Sequence, residues 1–164
     1  MLGLGCNKEN KPAFRIFFNP FTISVNPTMS AFESHFFLAN VQTNFQNAFD
    51  ASGANPDSIR YIRPTRGRLS VIFNEEKLNF IKAMSIRICP LGSSNAEVCG
   101  MEAFWRDPVP DNTGFTLELN NSNIEDIQDL IRADQVSVQV ILEELYQNPN
   151  SSFDIQIQLE FGVW

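Results

Sequence analysis

Histidine is almost missing from this chain of 164 residues, with His35 the only one. A metal site built on several imidazoles is thereby excluded, and a Ser-His-Asp triad would have to be assembled around His35 itself. Its neighbours Phe36 and Phe37 make the expected role that of a strand-edge histidine. No nucleophile motif and no glycine-rich phosphate loop occurs, so the chain reads as a protein without catalysis, cofactor or metal. Basic residues are few, 12 Lys and Arg against 19 Asp and Glu, and the net charge of −7 argues against a nucleic-acid partner, because phosphate contacts need clustered cations. Tyr and Trp number two each, which indicates no tyrosine-rich binding surface. No apolar run of about 18 residues exists, so no membrane-spanning helix is expected.

Phenylalanine, in contrast, is plentiful at 15 residues, and points to a dry interior packed with rings. A chain of this length suits one domain able to bury roughly 70% of its unfolded surface. Apolar residues at every second position place Met84, Ile86 and Ile88 on one face of a strand, with Ser85, Arg87 and Cys89 on the other. Pro90-Leu91-Gly92-Ser93-Ser94-Asn95-Ala96-Glu97 then reverses the chain into a return strand over 98–105. A register that pairs Cys89 directly with Cys99 sets Ser85 opposite Ala103 and Met84 opposite Phe104, and predicts a Cys89 to Cys99 disulfide.

Further strands are expected over 14–18 and 21–25, split by Asn19-Pro20 and stopped by Asn26-Pro27. Residues 59–62 and 69–73, joined through Pro64-Thr65-Arg66-Gly67-Arg68, form either a hairpin or one long bulged strand. Residues 115–119 alternate as well, and 135–140 and 153–161 show the cleanest period of two, each predicting a strand with one wet face. Phe36, Phe37, Leu38 and Val41 fit a strand, while Phe45 and Phe49 fit a helical turn or a continued strand equally well. Residues 74–83, with Leu78, Phe80 and Ile81, read as an amphipathic connector folding an apolar flap over one end of the core. Ser122 with Glu125 makes a capping box ahead of Ile124, Ile127, Leu130 and Ile131, the best helix in the chain. Because helices do not alternate with strands, the fold class is all-β: a sandwich of about eight or nine short antiparallel strands with one short helical crossover, spanning 13–164.

Candidate ligand-binding residues are sparse. Arg60, Arg63, Arg66 and Arg68 lie close together in an acidic chain and offer guanidinium forks to anionic sugars or lipid headgroups; the competing reading pairs them with the protein's own carboxylates. Trp105 and Trp164 allow sugar stacking or a simple cap on the core rim. The pairs Glu75-Glu76 and Glu143-Glu144 point to opposite faces of a strand and read as solvated edge charges. Asp107, Asp111 and Asn112 lack EF-hand spacing, and their prolines already account for the turn.

The chain starts Met1-Leu2-Gly3-Leu4-Gly5-Cys6-Asn7-Lys8-Glu9-Asn10-Lys11, an apolar and glycine run ending in Cys and followed by a polar tether. Gly3-Leu4-Gly5-Cys6 resembles the end of a bacterial lipoprotein signal, with Gly3 where that box has Leu, and Met1 reads as the start of a shortened chain. Residues 1–12 are then a signal remnant and tether. If Cys89 and Cys99 pair, Cys6 is the odd thiol, and its position marks it for lipidation. Together with the early Phe21-Thr22-Ile23-Ser24-Val25 strand and the Asp107-Pro108-Val109-Pro110-Asp111-Asn112 turn, the pattern resembles small β-sandwich envelope lipoproteins of Bacteroidota. Asp57-Ser58-Ile59 matches the tripeptide that exported proteins of that group use for O-glycosylation. The resemblance implies an immunoglobulin-like sandwich, exported and lipid-anchored to the cell envelope at the outer membrane, as a binding or structural module whose partners are the membrane through Cys6 and a glycan or another envelope protein. A carbohydrate-binding module is the first alternative and a small hydrolase the second.

Overall fold

The computed structural model describes residues 11–73, 76–124 and 127–164. Cys6 and the tether around it lie outside the described residues, as do Glu75 and the capping-box residue Glu125.

Two antiparallel sheets of five strands each face one another. The first, sheet A, is centred on β10 (Phe153–Val163). On one side β10 carries β1 (Phe14–Phe17) and β2 (Phe21–Val25), and on the other β4 (Ile62–Ile72), which in turn pairs with β7 (Thr116–Glu118). Sheet B runs in the order β3 (His35–Gln42), β9 (Gln135–Leu145), β5 (Ile81–Cys89), β6 (Met101–Arg106) and β8 (Asn120–Asn121). The all-β sandwich is the expected architecture, with ten strands among the described residues.

The alternation in sequence explains the packing. Ile155, Ile157, Leu159, Phe161 and Val163 of β10 and Val136, Val138, Val140 and Leu142 of β9 are buried in one common core. Phe104 meets Phe161 edge-on across the core, with ring centres 5.6 Å apart, and Phe18 packs on the other side of Phe161 at 4.7 Å. Asn19-Pro20 cuts what would be one edge strand into β1 and β2, since Pro has no N–H for the ladder. Beside that break the Asn19 amide donates to the Gln42 carbonyl at 3.1 Å, which ties the edges of the two sheets together.

Two open readings are resolved. Residues 62–72 form one long strand whose register against β10 shifts between Glu160 and Phe161. Phe45 and Phe49 belong to helix α1 (Phe45–Ser52), where the i, i+4 spacing stacks their rings 5.9 Å apart, both against Phe14.

Several expectations are corrected. The helix after Ser122 is only α2 (Gln128–Ile131); the Ser122 hydroxyl donates to Glu102 Oε1 at 3.2 Å. The apolar connector expected over 74–83 is shorter, because residues 81–83 already belong to β5. Leu78 and Phe80 are buried in a 3-10 turn, and β5 begins at Ile81, three residues before the clean alternation, because irregular pairing around Ala83 hides the period.

The cysteines pair as predicted, with sulfurs 1.99 Å and Cα atoms 5.5 Å apart, but the predicted register is wrong. Ser85 faces Trp105, Ile86 faces Phe104 and Met84 faces Arg106, and an irregularity between Ile86 and Arg87 shifts the ladder. Beyond Met101 the return chain kinks at Gly100, whose φ of 54° suits glycine, and a Cβ there would lie 1.9 Å from the Ile88 carbonyl oxygen. Cys99 therefore reaches Cys89 from a loop.

That loop also overturns the wet face of β9. Ser137 and Gln139 are both 0% exposed. The segment over 90–100 lies across them: Gly92 N–H donates to the Ser137 hydroxyl at 3.3 Å, Gln139 Oε1 accepts from Cys99 N–H at 3.2 Å, and Gln139 Nε2 donates to the Glu97 carbonyl at 2.9 Å. Asn95 reaches on to the Phe36 carbonyl of β3.

Candidate ligand-binding face

The outer face of sheet A is where the sequence's arginines gather. Along β4, Ile62, Pro64, Gly67 and Leu69 are buried, whereas Arg63 stands opposite Gly162 of β10, Arg66 opposite Glu160 and Arg68 opposite Gln158. Alternation carries Arg66 and Arg68 outward with Glu160 and Gln158, and the extra residue at the irregularity between Glu160 and Phe161 returns Arg63 to the same face.

At one end of this face Tyr61 stacks on Trp164, ring centres 5.4 Å apart and planes at 29°, and the Arg63 guanidinium sits 4.0 Å above the Tyr61 ring. Gly162 makes this possible, because a Cβ there would lie 2.7 Å from the indole and 3.0 Å from Thr65 Cγ2. Main-chain bonds hold the pair in place, with Trp164 N–H donating to the Tyr61 carbonyl at 3.0 Å. Tyr61, Arg63 and Trp164 are each half-buried.

Next along the face Glu160 accepts from Arg15 Nη1 at 2.6 Å and from the Thr65 hydroxyl at 2.8 Å. Its burial is offset by these two partners, since a carboxylate out of water needs donors. Beyond it the break between β1 and β2 opens a notch of about 230 Å³ lined by Phe17, Phe18, Pro20, Arg66, Arg68, Gln158, Leu159 and Glu160. Phe17 shows 58% of its surface, its side chain turned outward by the same alternation that buries Ile16 and Phe18.

Arg66 and Arg68 do meet a carboxylate of the protein. Arg66 donates from Nε and Nη2 to both oxygens of Glu118 at 3.1 and 2.7 Å, and Arg68 Nε is 3.4 Å from Glu118 Oε1. The hydrogen bonds from Arg66, with the charges of both arginines, hold the Glu118 carboxyl below the usual range, and the same bonds raise Arg66. Arg15, Arg66 and Arg68 face Glu118 and Glu160 here, three cations against two anions in a chain of net charge −7. The strip can present stacking rings at one end and guanidinium edges at the other.

The remaining candidates lie elsewhere. Arg60 is an exposed residue just before the stack, its carbonyl accepting from Gln128. Trp105 is 37% exposed on the opposite sheet, facing Ser85, and does not join the arginines. His35 opens β3 and its Nε2 lies 2.8 Å from the Ser30 carbonyl oxygen. Glu143 accepts from the Ser85 hydroxyl and Glu144 pairs with Lys82, so each carboxylate engages a different residue. Among the described residues no group of three or more metal-ligating side chains is assembled. Sequence reasoning missed Tyr61, Phe17 and Glu118; for the first two the outward signal was already present in their alternation with Ile62 and with Ile16 and Phe18. No protein-family model matches the chain, and no curated protein matches it in sequence.

Proposed function

We propose that this chain is an exported β-sandwich, lipid-anchored through Cys6, that acts as a binding or structural module of the cell envelope without catalysis of its own. The observation that carries the reading is the pairing of Cys89 with Cys99. A disulfide persists in oxidising compartments, and its formation leaves Cys6 as the unpaired thiol, next to the charged tether that follows a lipoprotein signal. Several acyl chains on one residue, each adding about 0.8 kcal/mol per buried CH₂, anchor a domain far more firmly than one chain. The domain over 13–164 then works at the end of a short arm. Labelling the native precursor in its host with an acyl analogue tests this: wild type takes the label and stays with membranes through salt washing, and Cys6→Ala does neither. Equal labelling or equal retention of the two sinks the anchor.

One observation favours glycan as the bound class. The half-buried Tyr61 and Trp164 stand with Arg63 at one end of a sheet face that also carries Arg66 and Arg68, which places aromatic surface beside guanidinium groups able to meet sugar hydroxyls or carboxylates. Binding to an immobilised panel of neutral and acidic polysaccharides should fall at least tenfold in Tyr61→Ala. Unchanged binding in that variant removes the aromatic pair from the reading.

A further inference from the structure

The sheet edges of this molecule are treated unequally. An open edge templates pairing with another strand, and proteins blunt it with proline, charge, or brevity. On sheet A one edge is cut by Asn19-Pro20 and carries Arg15, and the other is β7, three residues long. On sheet B the far edge is β8, two residues. The remaining edge, β3, runs eight residues in unbroken register with β9, from His35 opposite Leu142 to Gln42 opposite Gln135. Its sequence, HFFLANVQ, contains no Pro, Asp, Glu, Lys or Arg.

The hydrogen bonds show which groups are on offer. Thr43 N–H donates to the carbonyl of Asp134 at 3.0 Å, so odd-numbered residues of β3 face β9 and even-numbered ones face the open edge. Two of those even residues have their carbonyls occupied: Phe36 by the Asn95 side chain at 3.0 Å and Gln42 by Asn19 N–H at 3.1 Å. Between them the main-chain N–H and C=O of Leu38 and Asn40 have no partner among the described residues. These groups are placed symmetrically about Ala39.

We infer that β3 is a self-association edge, pairing antiparallel with β3 of a second copy across a two-fold axis at Ala39. Leu38 of each chain then faces Asn40 of the other, and both N–H and C=O of both residues are satisfied. The symmetry of the open groups selects a second copy, because an isologous contact requires a self-complementary strip. Charge selects it too: two chains of net charge −7 repel, and β3 is a charge-free strip on which they can meet. Phe36, 37% exposed, and the half-buried Leu38 flank the seam on the outer face and would be covered by the partner.

Sedimentation velocity on the purified chain carrying Cys6→Ser, which removes the acyl site, tests this independently of the anchor. The doubled mass is expected. Leu38→Pro deletes a donor facing the edge while leaving the bonds to β9 untouched, and should raise the dimer dissociation constant roughly tenfold or more. Ala39→Cys should form an intermolecular disulfide under mild oxidation, since directly opposed residues of a non-hydrogen-bonded pair have Cα atoms about 4.5 Å apart. Leu38→Lys serves the same purpose as the proline if that variant fails to fold. A single-chain mass for the unsubstituted edge, a dimer that survives folded Leu38→Pro or Leu38→Lys, or an Ala39→Cys protein that stays unlinked overturns the inference, as does a monomer whose β3 takes only an unrelated extended peptide.

Discussion

β9 and β10 have nearly the same sequence grammar and opposite surroundings. Gln135-Val136-Ser137-Val138-Gln139-Val140 and Phe153-Asp154-Ile155-Gln156-Ile157-Gln158 both alternate apolar and polar residues, yet Gln139 is fully buried while Gln158 is exposed. The difference comes from elsewhere in the chain. Sheet A has water on its outer face, whereas sheet B carries the disulfide-closed segment over 90–100 as a partial third layer. A polar side chain under such a cover must replace lost water with fixed partners, and Gln139 does so with Cys99 N–H and the Glu97 carbonyl. Alternation reports which residues face away from the core; whether that face is wet is decided by distant segments.

The covered side is expected to be the fragile one. Removing the closure with Cys89→Ser and Cys99→Ser together should cost about 3 kcal/mol on the chain-entropy estimate for a short loop, measured by urea unfolding. A loss near zero would mean that the cover holds without its covalent tie. Gln139→Ala comes next, at about 2 kcal/mol, because it strands a buried donor and acceptor, while Gln158→Ala should stay within about 0.5 kcal/mol. Equal effects at the two positions would erase the distinction between the faces. The smallest effect belongs to the open side: Glu118 is half-exposed, so Glu118→Gln should cost no more than about 1 kcal/mol at neutral pH. Its carboxyl is held below the usual range in the folded protein, so this contribution is fully present above the ordinary carboxylate value and fades as pH falls through the lower folded value. The gap between wild type and variant should therefore close in acid; a gap that widens there would contradict the assigned pairing.

Much of the fold could be read from residues, since burial of Ile155, Ile157 and Leu159 or of Met84, Ile86 and Ile88 follows from a period of two. The pairing of Cys89 with Cys99 was legible from the turn between them. The register was not, because Gly100 and the irregularity at Ile86 and Arg87 insert offsets that no periodicity signals. The candidate face was half legible: the arginines were visible as a run, but their partner Glu118 lies on β7, and Tyr61 meets Trp164 only because β4 and β10 pair. Contacts between residues about fifty to a hundred positions apart are set by topology, which composition does not encode.

The sandwich also has a direction. Phe14 pairs with Val163, so the chain enters where β10 ends, while the turns that carry Phe32 and Phe73 gather where β10 begins, next to Val25 and Ile72. Those two rings are 98% and 104% exposed. Eleven strand residues separate the two ends, about 35 Å at some 3.3 Å per residue. Under the proposed anchoring at Cys6, the two exposed rings lie at the end of the domain opposite the one where the chain enters, separated from it by the length of β10.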